Sequence, residues 1–214
     1  MIQEMLQLLG ERFPLTARDA GEFCAFTAKG MKFTVRAWQA EGLGHVSARW
    51  AAGFFGLMKM QTLIVNPKEI DLPLYSYDRI LAMGNDTLIA ELYDTTVGGF
   101  SAPALDKVVA DSSALPERDP GKHWYDTIRL PQSISKKGKK AQRGAFDQLA
   151  AAHLRAWMDT DYPPLTDKVA KAEKTAAYVN GLLTNGGPST DVFLQAMGRE
   201  KTERLFRTLL FGTD

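Results

Sequence analysis

The chain has 214 residues, 45% of them hydrophobic, with 26 Lys and Arg against 25 Asp and Glu. That length suits one large domain or two small ones with a sizeable core, and the balanced charge gives no reason to expect nucleic acid as a partner. A single cysteine, Cys24, excludes an internal disulfide and a cysteine-rich metal centre, and makes a cytoplasmic location the default. Lying between Phe23 and Phe26, it reads as a buried small hydrophobe.

No targeting segment is expected. The N-terminus carries Glu4 and Glu11 and lacks a basic region followed by a long apolar run. No apolar stretch reaches the roughly eighteen residues a membrane span needs, so no membrane association is expected.

In chain order, Ile2, Met5, Leu6, Leu8 and Leu9 fall mostly on one side of a helix over residues 1–12, and Pro14 ends it. Short β-like runs follow over 22–28, 32–39, 46–55, 57–65, 74–83 and 87–93, with Gly21, Gly30, Gly42, Gly44 and Gly56 at the gaps. Gly84-Asn85-Asp86 is a hairpin turn signal. Consecutive strands joined by short turns imply an antiparallel meander rather than βαβ units. The second half changes character. A short helix is predicted over 102–110, one more strand over 123–130, and helices over 145–158 and 166–183. A last helical segment starts at Ser189 or Thr190 and ends near Leu210. Strands first and helices after predict an α+β fold in which helices cover one central sheet.

The chemistry concentrates in 66–94. Asp78 follows a Pro-broken, aromatic-rich segment in which Tyr75 and Tyr77 lie within three residues of it. A carboxyl leaving such a segment is a place for a raised pKa and proton transfer. Asp71, Glu91 and Asp94 are the other acidic candidates. Alternation over 87–94 sets Ile89, Glu91 and Tyr93 on one face and Leu88, Ala90 and Leu92 on the other.

The three histidines, His45, His123 and His153, form no metal-ligand spacing, so no metal is expected. His123, beside Trp124 and Tyr125, is the one placed to titrate against an aromatic wall, whereas His153 reads as a surface or boundary residue of its helix. No nucleophile elbow, Walker loop or dinucleotide fingerprint is present. Lys136, Lys137, Lys139, Lys140 and Arg143 put five positive charges into eight residues, either a solvated loop or a docking patch for an acidic partner.

Two segments carry a resemblance. NPKEIDLPLYSYD, residues 66–78, is similar to the strand–loop–strand segment of the ferredoxin-dependent bilin reductases, in which a pocket aspartate follows a proline-rich loop. STDVFLQAMGREKTERLFRTLLFG, residues 189–212, resembles their closing helix and final turn. The resemblance implies a three-layer α/β/α sandwich with a central antiparallel sheet over the single domain 1–214. Its activity would be ferredoxin-dependent reduction of biliverdin, or a close linear tetrapyrrole, to a phytobilin such as phycocyanobilin. No cofactor would be bound, and reduced ferredoxin would be the electron donor.

Asp78 matches the family's proton-donating aspartate. The glutamate and histidine of the phycocyanobilin-forming branch fall, counting back without gaps, on Arg49 and Gln61, neither of which is an equivalent acid. Arg49 would instead suit a propionate. Arg49, Gln61, Tyr75, Tyr77 and Asn185 are the expected substrate-binding residues; Asn185 stands where the family has an Asn-Asp pair. The basic run Lys136–Arg143 is the expected ferredoxin dock. The alternatives are a carrier that binds a bilin without reducing it, and a reductase of an open-chain chlorophyll catabolite.

Overall fold

The computed structural model describes residues 1–187 and 189–214. Strands β1 (Leu15–Arg18), β2 (Phe26–Ala28), β3 (Met31–Ala40), β4 (Gly44–Gly53), β5 (Met58–Pro67), β6 (Leu74–Ala82), β7 (Asn85–Tyr93) and β8 (Ile134–Lys139) form one sheet. From β3 to β8 the spatial order is the chain order, and every pairing is antiparallel. β1 and β2 share the outer edge of β3. The meander read from the turn residues is the observed sheet.

The structure departs from the sequence-based expectation at several elements: β1 is not among the expected strands, and Gly198, with φ +77°, divides the last helical segment in two. Residues 21–23 form a tight turn, so the first strand of the 22–28 run begins only at Phe26. Residues 123–130, predicted as a strand, hold a single helical turn at Trp124–Thr127. The basic run after Ser133 is not a loop but the edge strand β8, where period-two alternation sends Lys136 inward and Lys137 outward.

The strands bury both faces, under different helices. One face carries Ala48, Leu63, Val65, Tyr75, Tyr77, Leu88, Ala90 and Leu92. It packs against α1 (Ile2–Arg12), α2 (Pro103–Asp111) and α3 (Arg143–Met158) through Met5, Leu9, Leu105, Phe146 and Trp157. The other face carries Phe33, Val35, Ala51, Ile64, Leu74 and Tyr93. It packs against α4 (Lys168–Asn185), α5 (Thr190–Met197) and α6 (Arg199–Arg204) with its continuation through Leu210. The result is a three-layer α/β/α sandwich.

The terminal segment is tied to the sheet by polar side chains. A helix C-terminus leaves its last carbonyls without intrahelical donors. Here the Leu209 carbonyl accepts from His45 Nε2 at 2.8 Å, the Leu210 carbonyl from Ser47 Oγ at 2.7 Å and the Phe211 carbonyl from Asn66 Nδ2 at 2.7 Å. Gly212, with φ +59°, then turns the chain where any Cβ would collide with the His45 ring. Those three hydrogen bonds fix the helical layer over one face of the sheet. His153 is fully buried rather than at a boundary, its ring between Tyr75 Oη and the Gln132 carbonyl, and Cys24 is exposed rather than packed between its flanking phenylalanines.

Candidate active site

Between the sheet and the C-terminal helices lies a cavity holding about 1070 Å³ of atom-free space up to and including its open mouth. Its floor is built by register. Val35, Arg49, Thr62, Asp78, Ile89 and Ser135 are successive partners across β3, β4, β5, β6, β7 and β8, so they stand side by side on one face. Arg49, Thr62, Asp78 and Ile89 all line the cavity.

The polar groups of that row are linked. Arg49 donates to Thr62 Oγ1 at 3.0 Å and to Ser189 Oγ at 3.1 Å, and the Thr62 hydroxyl donates to Asp78 Oδ1 at 2.5 Å. Arg49 is 6% exposed, its guanidinium lies 5.4 Å from the Phe193 ring, and its Nε is buried without a hydrogen-bond partner among the described residues. Burial holds the Asp78 carboxyl above the usual carboxylate range; Arg49 and the Thr62 hydroxyl pull it back without cancelling the effect, and Glu91 adds to it. Asp78 is thus a carboxyl poised to keep or release a proton.

A second polar chain runs along the side wall. Glu91 accepts from Tyr93 Oη at 2.6 Å and from Arg129 at 3.2 Å, and Arg129 pairs with Asp126 at 3.0 Å. His123 lies over Tyr125, with ring centroids 4.8 Å apart and planes 6° from parallel. Tyr93 stacks on Tyr178 of α4 at 4.3 Å. Burial raises the pKa of Tyr93 and Tyr178 well above the ordinary phenol value, and that of Tyr125 to about 12. Trp124 anchors this wall by donating from Nε1 to the Gly186 carbonyl at 2.9 Å, and it packs on Gly181, where a Cβ would occupy the indole's space. That contact explains a glycine in the interior of α4.

The expected site residues divide. Asp78 and Arg49 meet in the cavity. Gln61 does not: it pairs with Trp50 and Arg79 and shares their face, the one opposite the cavity, and its neighbour Thr62 takes the place in the row. Tyr75 and Tyr77 also point away, because they alternate with Ser76 and Asp78. Tyr75 packs between His153 and Trp157, 5.6 and 5.3 Å away. Tyr77 is buried in the same core. Asn185 is the exposed last residue of α4 and does not line the cavity. In the basic run, Lys136 is 2% exposed, donating to the Ser112 carbonyl at 2.9 Å and paired with Glu117, so it is not a docking group. Lys137, Lys139, Lys140 and Arg143 are exposed.

The sequence did not single out Thr62, Arg118 or Tyr178 for the site. Only pairing across strands and layers assembles them.

The layers and the cavity define the chain as an α+β sandwich that opens a ligand-sized cleft between an antiparallel sheet and its C-terminal helices. No protein-family model and no curated protein matches the sequence. In fold, the chain is similar to phytochromobilin synthase from tomato, crystallised in complex with biliverdin. The TM-score is 0.75 over 99% of this chain and 82% of that one, at 14% identity. The bilin reductase fold implied by the two sequence segments is the fold of this chain.

Proposed function

We propose that this protein is a bilin reductase that takes biliverdin, or a close linear tetrapyrrole, into the cavity and reduces it with single electrons from a carrier such as ferredoxin. The observation that carries the reading is the Arg49–Thr62–Asp78 row on the cavity floor, in a fold shared with a biliverdin-bound protein. A linear tetrapyrrole is a large apolar plate with carboxylate side arms. The aromatic and aliphatic walls suit the plate, and Arg49 and Arg118 suit the carboxylates.

Adding an electron to such a pigment raises its basicity. Asp78, whose proton is held more tightly than an ordinary aspartate's, then donates it to the reduced pigment. Thr62 fixes the carboxyl's orientation, and Arg49 limits how far its proton affinity rises. The exposed cations Lys137, Lys139, Lys140 and Arg143 form a docking patch for an acidic carrier. The product is a phytobilin such as phycocyanobilin. No helix among the described residues is long and apolar enough to cross a membrane, and we place the reaction in the cytoplasm.

Anaerobic mixing with biliverdin, ferredoxin and its reductase tests the reading. Asp78→Asn is expected to bind the pigment, seen as a shifted absorption band, and to stall after the first electron. Turnover of that variant at the normal rate would remove Asp78 from the mechanism. A second reading, a bilin carrier that does not reduce its cargo, is favoured by one observation: a fixed cation, Arg49, works against proton retention on Asp78. Binding of biliverdin by the unaltered protein without any product would select it. An open-chain chlorophyll catabolite in the same assay tests that substrate.

A further inference from the structure

This inference rests on the proposed reduction. Adding two electrons across a double bond of an open-chain tetrapyrrole also takes up two protons. The electrons come from a reduced one-electron carrier acting twice, each carrier molecule leaving oxidised. Asp78 accounts for one proton, and the cavity must supply the other.

The lining groups narrow the choice. Arg49 and Arg118 hold their protons at any ordinary pH. The phenols of Tyr93, Tyr125 and Tyr178 hold theirs more tightly than usual because they are buried. Glu91 has both carboxylate oxygens engaged as acceptors, from Arg129 and Tyr93. Among the described residues, the remaining titratable side chain on the wall is His123.

Its setting is that of a held imidazole. The ring is stacked on Tyr125. Its Nδ1 is buried, has no hydrogen-bond partner among the described residues, and faces Asp126 Oδ1 at 3.8 Å. Asp126 is itself fixed, accepting from the His123 backbone N–H at 2.9 Å and pairing with Arg129. The carboxylate therefore stands beside the ring as a counter-charge for an imidazolium, and a modest approach turns that contact into a hydrogen bond.

We propose that His123 is the second proton donor of this cavity, with Asp126 as its positioning residue. One N–H bond of the imidazolium breaks and one bond from hydrogen to the reduced pigment forms; the neutral imidazole then regains its proton from solvent at the cavity mouth. The charged and titratable groups that share the cavity with the ring are Asp126 and, through it, Arg129 and Glu91 on the same wall; Tyr125 beneath the ring; and Arg118, Tyr178, Arg49 and Asp78 elsewhere in the lining.

The test uses the full chain with biliverdin and reduced ferredoxin under anaerobic conditions. His123→Gln is expected to bind biliverdin with an unchanged absorption band. Its turnover should fall by about a hundredfold or more, with a pigment radical accumulating in electron paramagnetic resonance. Asp126→Asn is expected to keep KM and to move the alkaline limb of the kcat profile to lower pH, because the imidazolium loses its counter-charge. Normal turnover of His123→Gln without a radical overturns the inference and leaves the proposed function standing. If His123→Gln binds no pigment, an unchanged pH profile in Asp126→Asn overturns it instead. If the unaltered protein leaves the biliverdin band unshifted, the proposed function and this inference fall together.

Discussion

Replacing Arg49 by methionine keeps an unbranched apolar stem and removes the cation bonded through Thr62 to Asp78. Two hydrogen bonds in series, 3.0 Å and 2.5 Å, hold the guanidinium and the carboxylate within about 5.5 Å of each other. At that separation, and at the effective dielectric of roughly 20 that describes such sites, their attraction is about 3 kcal/mol. Losing it raises the proton affinity of Asp78 by about a hundredfold.

The consequence for stability has a definite sign. Burial already raises the Asp78 pKa in the folded state above its unfolded value. The neutral carboxyl is therefore the better-tolerated form, and its contribution is fully present below the unfolded pKa and is lost as pH rises through the folded one. In Arg49→Met that loss extends to higher pH and is larger, whereas Asp78→Asn abolishes it. Carbon-13 NMR of the Asp78 carboxyl gives the titration, and urea unfolding between pH 4 and 9 gives the stability. A change of less than about threefold in proton affinity, or a stability profile in Arg49→Met that matches the unaltered protein, would refute the electrostatic account of the row.

His45 and His153 are buried as neutral rings, and burial lowers each pKa to about 4. A lowered histidine pKa contributes stability that is present above about 6.5 and is lost as pH falls toward 4, roughly 3 kcal/mol for each ring. His153→Gln is expected to remove one of the two contributions to that slope, measured by denaturant unfolding at pH 7 and pH 4.5. Gly181→Ala should destabilise the protein by about 1–3 kcal/mol and loosen the Trp124 wall, although alanine is the better helix former; thermal unfolding with tryptophan fluorescence checks both effects. Charge reversal at Lys137, Lys139 and Lys140 should slow association with an acidic electron donor about tenfold at low salt and little at high salt, whereas Lys136→Met should leave the salt dependence unchanged because that ammonium is buried.

The central strands β3 to β7 and the helical cover follow from the sequence, whereas the edge strands β1 and β8 do not. Glycine and Gly-Asn punctuation and period-two alternation are local signals, and they placed β3 to β7 and the face shared by Ile89, Glu91 and Tyr93 correctly. The same alternation, applied to residues 74–80, separates Tyr75 and Tyr77 from Asp78; closeness along the chain suggested a shared pocket that the pleat forbids. Counting from Asp78 back to β5 and β4 was a different matter. The loops at 54–57 and 68–73 set the strand offsets, and a one-residue slip exchanges Gln61 for Thr62 and turns the side chain to the other face. The cavity wall was the least legible part. Arg118 and His123 come from the long connection between β7 and β8, and Tyr178 and Ser189 from the C-terminal helical layer, whose terminal carbonyls His45, Ser47 and Asn66 tie to the sheet. Strand and helix formation follow from neighbours along the chain, whereas a site between layers depends on contacts more than a hundred residues apart, which local periodicity does not encode.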